Sequence, residues 1–154
     1  MQVAQLILRK ATLEDAETLF SWRNDPETRM NSLCSEEIDL AKHHSWLKNA
    51  LTQQSRQLFI AEINAEPVGT VRADRQDNST YWLISWTVAP RFRAKGIGAF
   101  MVQKLLKFIK APVEAHVKKN NIASQKIALQ SGLELITCEN DILIYRSHQK
   151  KISK

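Results

Sequence analysis

Long apolar runs are missing from this sequence of 154 residues. No stretch approaches the ~18 apolar residues that a membrane-spanning helix needs, and the first residues lack the apolar run and cleavage site of a signal peptide. We therefore expect a cytoplasmic protein without a membrane partner. Cysteine is scarce too, because Cys34 and Cys138 are the only two, and neither has a metal-like spacing to histidine. This pattern predicts two free, buried thiols rather than a disulfide or a metal site.

The length is that of one ordinary domain with a single core. We place this domain at residues 1–148 and a basic tail at 149–154. Lysine and arginine number 22 against 16 acidic residues, a net charge of +6 that suits an anionic ligand, although the tail supplies part of the excess. No recognition-helix, zinc-finger or aromatic-platform motif accompanies the charge, so we expect a small-molecule ligand and not a nucleic acid. The chain is expected to be a monomer or a homodimer.

Glycine is also rare, and two of the four glycines, Gly96 and Gly98, occupy one turn behind Arg91, Arg93 and Lys95. The turn joins an apolar segment typical of a strand to one typical of a helix. Glycines let the backbone approach a ligand closely, and a helix start offers unpaired N–H groups and the positive end of its dipole. The turn therefore predicts a phosphate site. The alternative is a basic surface turn that caps an ordinary helix.

Two common phosphate-binding patterns do not fit this turn. A Walker loop needs Lys-Ser or Lys-Thr after its last glycine, where this chain has Ala99. A dinucleotide-binding fingerprint needs a third glycine and an acidic residue about 20 positions on, where this chain has Lys118. The pattern that remains is Arg93-x-x-Gly96-x-Gly98.

Apolar periodicity predicts the element order β-αα-βββ-α-β-α-ββ, an α/β (α+β) fold. The predicted strands are 3–9, 57–63, 68–73, 80–88, 113–118, 134–138 and 142–146, and the predicted helices are 13–23, about 36–51, 96–110 and 121–131. Asn24-Asp25-Pro26 is predicted to end the first helix, and Ser35 to cap the second. The residues of the third helix that are predicted to face the core are Ile97, Phe100, Met101, Leu105 and Phe108.

Two motifs in these elements resemble those of the GNAT acyltransferases. One is Arg93-x-x-Gly96-x-Gly98 after a Val-Ala-Pro strand end, and the other is Asn121-x-x-Ser124 at the start of the last helix. The predicted element order resembles that fold along nearly the whole chain. The resemblance implies a mixed, mostly antiparallel sheet of six to seven strands flanked by about four helices. It also implies that acetyl-CoA binds where the fourth and fifth strands splay apart.

By this resemblance the end of the fourth strand would pair with the pantetheine arm of acetyl-CoA, and the Val88 N–H would polarise the thioester carbonyl. The following loop would wrap the pyrophosphate, with Lys95 as a charge on the solvent side. Asn121 and Ser124 would bond to the cofactor or steady the splay, unless they serve only to cap a helix. The implied cofactor residues are Trp86, Thr87, Val88, Arg93, Ala94, Lys95, Gly96, Ile97, Gly98, Ala99, Asn121 and Ser124.

The catalytic groups of many relatives are missing. Many GNAT enzymes carry a glutamate where this chain has Leu83, and a tyrosine that acts as the acid where it has Ala128. His116 stands where the resemblance to ribosomal-protein alanine acetyltransferases implies a glutamate, five residues before Asn121, and it becomes the candidate base for the amine proton. An outward-facing strand histidine is the open alternative. The acid that protonates the leaving thiolate stays unassigned.

Three segments, 20–25, 43–46 and 84–88, resemble sugar-nucleotide N-acetyltransferases of the pseudaminic acid pathway. That resemblance implies a 4-amino sugar carried on UDP as the acceptor, with arginines and tryptophans suited to its phosphates and ring. The first segment also resembles ribosomal-protein N-terminal acetyltransferases, and a non-catalytic acyl-CoA sensor is a third alternative. His43 and His44 are predicted to lie on a wet helix face as weaker candidate bases. The implied acceptor residues are Trp22, Arg23, Asn24, Arg29, His43, Trp46 and Ser85.

Overall fold

Residues 5–148 are described by a computed structural model, in which they form one seven-stranded sheet flanked by five α-helices. The strands are β1 (Ile7–Lys10), β2 (Arg56–Ile63), β3 (Glu66–Arg75), β4 (Trp82–Val88), β5 (Val113–Lys118), β6 (Glu134–Glu139) and β7 (Ile142–Arg146). The helices are α1 (Ala16–Asn24), α2 (Pro26–Asn31), α3 (Leu40–Thr52), α4 (Ile97–Phe108) and α5 (Ile122–Gln130), with short 3-10 helices at Leu13–Asp15 and Pro90–Phe92. The predicted tail at 149–154 and the predicted start of the first strand lie outside the described residues.

The strands follow the order β1-β2-β3-β4-β5-β7-β6 across the sheet. Every neighbouring pair is antiparallel except β4 and β5, which run parallel. The predicted mixed, mostly antiparallel sheet is thereby confirmed. Because parallel strands cannot be joined by a tight turn, the chain crosses from β4 to β5 through α4.

Helix α4 packs against the sheet through a stripe of apolar side chains. Ile97, Met101 and Leu105 are almost fully buried in the core. A Cβ atom on Gly69 of β3 would lie 2.7 Å from Sδ of Met101 and 2.6 Å from the Thr87 carbonyl oxygen. Glycine at this position therefore lets α4 lie directly on β3.

The prediction that Phe100 and Phe108 face the core is wrong. Phe100 is 44% exposed because it points away from the buried stripe of α4, and Phe108 is 57% exposed at the last residue of the helix. Phe108 instead stacks on Phe59, with ring centroids 5.3 Å apart. The helical repeat shows which residues lie on or near the buried stripe, but it does not show whether an apolar residue at the edge of the stripe is buried or exposed.

A short helix that was not predicted, α2, follows α1 directly. α1 ends at Asn24 as expected, but Pro26 then starts α2 instead of opening a loop. The carboxylate of Asp25 caps the new helix by accepting a hydrogen bond from the Thr28 N–H at 3.1 Å. Proline is favoured at the first helical position, so the tripeptide that ends one helix also begins the next.

The loop after α2 differs from the prediction in two respects. Ser35 does not cap α3, because Asp39 does so by accepting a hydrogen bond from the Lys42 N–H at 2.8 Å. Cys34 in this loop and Cys138 on β6 are free but exposed, so the predicted burial of both thiols is wrong. Cys138 is exposed because β6 is an edge strand whose six residues are all exposed.

No helix within residues 5–148 combines the length and the apolar character that a bilayer span requires. The cytoplasmic location and the oligomeric state stay predictions from the sequence.

Candidate active site

The parallel strands β4 and β5 separate halfway along their length. They pair from Trp82 opposite Val113 to Ile84 opposite Ala115, and the register ends there. Residues 85–88 and 116–118 therefore flank an open gap in the sheet. The predicted central splay is present.

Two backbone N–H groups of β4 point into this gap. The Trp82 N–H donates to the Pro112 carbonyl on the β5 side at 2.9 Å, whereas the Ala89 N–H donates to a carbonyl of β3 at 2.8 Å. Because successive N–H groups of a strand point to opposite edges, those of Trp86 and Val88 point to the β5 side, where the pairing has ended. An extended ligand in the gap could pair with them as an added strand would.

The loop that follows β4 presents further backbone donors. Ala94 and Gly96 both have positive φ, at 62° and 75°, a conformation that turns neighbouring N–H groups toward one side. Helix α4 then begins at Ile97 without a side chain that caps its first N–H groups. These uncapped donors and the helix dipole together favour an anion at this point.

Gly98 lies where α4, α5 and the end of β4 meet. A Cβ atom there would collide with Cδ1 of Ile127 and come within 3.3 Å of Cγ2 of Val88. The sequence motif links this glycine to the approach of a phosphate, but the packing of α5 requires it as well. Gly96, by contrast, has no heavy atom within 4 Å of its Cβ position, so its positive φ is the reason for glycine there.

Eleven of the twelve predicted cofactor residues line one groove of about 570 Å³. They are Trp86, Thr87, Val88, Arg93, Ala94, Gly96, Ile97, Gly98, Ala99, Asn121 and Ser124. The exception is Lys95, whose ammonium lies 6.0 Å from the ring centroid of Phe92 and is exposed to solvent. Glu27 of α2 and Lys126 of α5 also line the groove but were not predicted.

The side chain of Arg93 is bound to α2 rather than free in the groove. It donates to Oδ2 of Asp25 at 2.6 Å and to Oγ1 of Thr28 at 2.8 Å, and it pairs with Glu27 at 2.5 Å. Burial alone raises the pKa of Asp25, but the hydrogen bonds from Arg93 and Thr28 outweigh burial and hold this pKa below its usual value. A pyrophosphate would compete with two carboxylates for this guanidinium. The backbone donors of the loop are therefore the main anion-binding feature.

A second pocket, of about 380 Å³, adjoins the groove. The residues that line both cavities are Thr28, Asn31, Ser32, Trp86, Thr87, Asn121 and Ser124. The predicted acceptor residues that line the second pocket are Trp22, Arg23, His43, Trp46 and Ser85. We call it the acceptor pocket, because a group carried along the groove to the shared wall would meet a second molecule held there.

The other two predicted acceptor residues do not line this pocket. Nδ2 of Asn24 donates to the Ile38 carbonyl at 2.9 Å, and Oδ1 of Asn24 accepts from the Ile38 N–H at 3.2 Å. Nε of Arg29 donates to the Ser35 carbonyl at 3.3 Å. Both side chains thus hold the loop between α2 and α3. The sequence placed them near the acceptor pocket but could not show which way they point.

His43 is buried, at 1% exposure, so the predicted wet helix face is wrong for this residue. Its ring lies between those of Phe20 and Trp46, with centroids 5.6 Å and 5.8 Å away. Neither ring nitrogen makes a well-formed hydrogen bond to a described residue. Burial and then the charge of Arg23 lower the pKa of His43, against a weaker opposing contribution from the Ala16 backbone. The imidazole is therefore neutral at pH 7.

Two arginines flank Trp46 in the wall of the acceptor pocket. The guanidinium carbons of Arg23 and Arg72 lie 5.6 Å and 5.5 Å from its ring centroid. Nε of Arg72 lies 3.0 Å from Oδ2 of Asp74, which is the single carboxylate among the described residues that line this pocket. The walls therefore carry more positive than negative charge. Arg72 was not predicted, because the sequence pattern of β3 does not mark which of its faces meets the pocket.

His116 is the first residue of β5 beyond its pairing with β4, and it lines the acceptor pocket. Nε2 of His116 lies 2.6 Å from Oε1 of Glu114. The other oxygen of Glu114 accepts a hydrogen bond from Nε of Arg146 at 2.8 Å. The imidazole thus has one nitrogen engaged and stands next to the gap in which an acyl group would lie.

Asn121 and Ser124 connect α5 to the gap. Oδ1 of Asn121 accepts a hydrogen bond from the Ser124 N–H at 3.2 Å and so caps the helix. Oγ of Ser124 accepts from Nε1 of Trp86 at 3.2 Å, which ties α5 to β4 across the opening. Ser124 therefore takes part in both contacts at once, because its backbone N–H makes the capping bond and its hydroxyl oxygen makes the bond across the splay.

The fold, the splay and the glycine loop agree with one protein family. The family model of the acetyltransferase (GNAT) domain matches residues 5–134. The chain belongs to the GNAT acetyltransferases, the enzymes that transfer an acetyl group from acetyl-CoA. Among curated proteins, no sequence matches the chain significantly.

Solved structures of the same fold superpose well on the chain. A domain from Methanocaldococcus jannaschii is 25% identical, with a TM-score of 0.79 over 92% of this chain and 96% of that one. The spermidine N-acetyltransferase from Vibrio cholerae, solved with CoA and spermine, is 13% identical, with a TM-score of 0.82 over 93% and 94%. RimL, a ribosomal L7/L12 alpha-N-protein acetyltransferase solved with coenzyme A, is 13% identical, with a TM-score of 0.80 over 92% and 93%.

Proposed function

We propose that this enzyme transfers the acetyl group of acetyl-CoA to the primary amine of an amino sugar carried on UDP. The observation that carries the proposal is the junction of two cavities. A groove with free backbone donors meets a pocket whose walls are aromatic and cationic. The first suits a phosphorylated acyl carrier, and the second suits an acceptor that bears negative charge.

In this proposal the groove holds acetyl-CoA through backbone groups. The pantetheine arm lies in the gap beside β4, where the N–H groups of Trp86 and Val88 face the β5 side without a strand partner. The pyrophosphate rests on the N–H groups of the loop and of the first turn of α4, which no side chain caps. Lys126 adds a positive charge to the same groove.

The chemistry follows from what these residues can do at the junction. The Val88 N–H stabilises the negative charge that develops on the thioester oxygen. His116 takes a proton from the ammonium group of the acceptor, so that the amine can form the C–N bond while the C–S bond breaks. The leaving thiolate takes its proton from water, because Ala128, at the usual place of the acid, is buried and carries no ionisable group.

The charge of the acceptor pocket decides between acceptor classes. Arg23 and Arg72 outnumber Asp74, so the walls repel a polycation and attract phosphate or carboxylate groups. The similar enzyme from Vibrio cholerae was solved with spermine, a polycation, and the pocket of this chain does not suit such a ligand. Trp46 between the two arginines offers a ring surface on which a nucleotide base can stack.

The N-terminal amine of a protein is the second candidate acceptor. It is favoured by the likeness to the L7/L12 acetyltransferase and by exposed apolar residues, since Leu33 in the pocket lining is 57% exposed and Met30, three residues earlier, is 65% exposed. A protein segment could lie across them while its terminus entered the pocket. A non-catalytic acyl-CoA sensor is the third candidate, and only the missing glutamate and tyrosine support it.

Release of the CoA thiol with three amines separates these functions. The amines are a UDP-linked 4-amino sugar, a peptide with a free N-terminus and spermidine, each with acetyl-CoA in excess. We expect thiol release with the sugar nucleotide at a kcat/KM at least about tenfold above that of the others, the factor that corresponds to 1.4 kcal/mol. Faster release with the peptide would assign the second function. Binding of acetyl-CoA without release from any amine would assign the third.

A further inference from the structure

Glu114 has no role in the function proposed so far, yet it is the partner of the candidate base. The two residues are two positions apart on β5, so their side chains lie on the same face of the sheet. Val113, Ala115 and Val117 point to the opposite face and are buried in the core. Because side chains alternate between the two faces along β5, Glu114 and His116 lie side by side, and His116 lines the acceptor pocket.

The contacts fix the carboxylate in one orientation. Oε1 of Glu114 lies 2.6 Å from Nε2 of His116, and Oε2 accepts a hydrogen bond from Nε of Arg146 at 2.8 Å. The guanidinium of Arg146 also stacks over Tyr81, 4.5 Å from its ring centroid. Both carboxylate oxygens are thus engaged, and the arginine that holds one of them is itself held by an aromatic ring.

The carboxylate is ionised at neutral pH. Burial alone raises the pKa of Glu114, but the hydrogen bonds from His116 and Arg146 outweigh burial and lower this pKa below its ordinary value. An ionised carboxylate can only accept a hydrogen bond, so Nε2 of His116 must carry the proton that joins them. The lone pair of the neutral imidazole is then on Nδ1.

We infer that Glu114 is a positioning residue that holds His116 in the Nε2-protonated form and leaves Nδ1 as the atom that accepts the proton of the amine. This inference rests on the proposed role of His116 as the base. When the proton passes from the ammonium group to Nδ1, the ring becomes a cation and the adjoining carboxylate stabilises it. The proton then leaves for solvent, and the carboxylate stays ionised throughout. The arrangement follows the general rule that a catalytic base is itself oriented by a third group.

Other charged or titratable groups line the acceptor pocket or lie beside it on β5 and β7. Arg23 of α1, His43 of α3, and Arg72 and Asp74 of β3 line the pocket with His116, whereas Lys118 on β5 and Arg146 on β7 lie outside its lining. Asp74 is paired with Arg72 at 3.0 Å, and Lys118 donates to the Met30 carbonyl at 2.9 Å. Among the described residues, Glu114 is the one that hydrogen-bonds to the imidazole.

The first test reads the imidazole directly, without an acceptor. Nitrogen chemical shifts of His116 in the full-length protein should report the Nε2-protonated tautomer at pH 8. In Glu114→Gln this preference should be lost, because a neutral amide can donate to the ring as well as accept from it. A predominant Nδ1-protonated tautomer in the unaltered protein would overturn the inference. This measurement keeps the test decisive even if a variant does not fold.

The second test uses kinetics with acetyl-CoA and the UDP-linked 4-amino sugar, or the free peptide if that is the amine that turns over. His116→Ala should lower kcat/KM by about 100-fold and Glu114→Gln by about tenfold. The double variant should be no worse than His116→Ala alone, because Glu114 acts through the histidine. The acid limb of the pH profile should also move in Glu114→Gln. Glu134→Gln is the matched control, since Glu134 pairs with His148, at 3.5 Å, outside both cavities.

The outcomes separate this inference from the proposed function. A normal rate and pH profile in Glu114→Gln, together with a large loss in His116→Ala, would overturn the positioning role and leave the base in place. Losses that multiply in the double variant would do the same. A normal rate in His116→Ala would instead remove the base itself, and with it both proposals about this pair.

Discussion

The groove beside β4 and the acceptor pocket share a wall, but they differ in how the chain builds them. Half of the residues that line the groove come from one segment, residues 86–99, which carries the free backbone donors, and the others come from α2 and α5 and from the ends of these helices. The acceptor pocket is lined by residues that are far apart in the sequence, from α1, α2, the loop after α2, α3, β2, β3, β4, β5 and the start of α5. A site of the first kind can be read from a short motif, whereas one of the second kind depends on which side chains the fold brings together.

The largest effect should come from a side chain placed at Gly98, where α4, α5 and β4 pack closely in the wall of the groove. Gly98→Val should weaken acetyl-CoA binding by about 100-fold, the equivalent of 2.7 kcal/mol, because its side chain would displace Ile127 and Val88, which line the groove. Calorimetric titration measures this loss. The comparison variant is Gly96→Ala, which meets no atom and loses only the favourable positive φ. Its affinity loss should be smaller, and equal affinity in a folded Gly98→Val protein would contradict the account.

A smaller effect should distinguish Arg23 from Arg29, both of which were predicted from the sequence to bind the acceptor. Arg23→Ala should raise KM for the UDP-linked amino sugar by about tenfold, because Arg23 lines the acceptor pocket over Trp46 and a hydrogen bond to a charged group contributes about 1.5 kcal/mol or more. Arg29→Ala is the matched control, since Arg29 bonds to the Ser35 carbonyl outside that pocket. Steady-state kinetics at saturating acetyl-CoA measure both. Equal KM values in the two variants would show that the acceptor does not use the pocket.

The smallest effect on turnover should come from the start of α1, the helix that carries Arg23. Arg9 donates to both oxygens of Asp15, at 2.7 Å and 2.8 Å, and these bonds lower the pKa of Asp15 against the opposing effect of burial. This carboxylate therefore stabilises the fold above a pH of about 4, and its contribution is lost as the pH falls through the lowered folded pKa. Asp15→Asn should reduce the free energy of unfolding by about 2 kcal/mol at pH 7, with acetyl-CoA affinity unchanged.

Urea unfolding of both proteins at pH 7 and at pH 3 measures that difference. We expect the two curves to approach each other at pH 3, because this pH lies below the ordinary pKa of an aspartate, so that proton binding by the unfolded chain offsets part of the contribution of the native ion pair. Glu14→Gln is the control, since Glu14 is an exposed neighbour on the same turn. A difference that stays the same at both values of pH would show that the ion pair is not its cause.

The contrast between a local segment and side chains from distant parts of the sequence also explains which features could be predicted from the sequence. The glycine loop is local, so the amino-acid pattern alone was enough to place Gly96 and Gly98 at the start of α4. The strand β5 was predicted too, but the sequence left open whether His116 faces the site. The burial of His43 could not be predicted in this way, because it depends on Phe20 and Trp46 meeting from two different helices.

The contacts of long side chains were the other features beyond prediction. Arg93 was expected at a pyrophosphate and instead binds Asp25 and Glu27, which precede it by more than 60 positions. Glu114 gave no sign of its importance, since the sequence showed a strand residue but not the histidine and arginine that hold it. The spacing of residues along one helix or strand predicts which side chains share a face of that element. Contacts between side chains of different elements can be identified only once the fold is known.

The most direct test of the account asks whether acetyl-CoA occupies the gap between β4 and β5. Amide hydrogen exchange of the full-length protein, with and without acetyl-CoA, measures how far the ligand protects the backbone N–H groups that border this gap. We predict slower exchange in residues 85–88 and 93–99 when acetyl-CoA is bound, and no change in β6 and β7, which lie at the edge of the sheet. Binding that leaves residues 85–88 unprotected, or that protects β6 and β7 instead, would contradict the account.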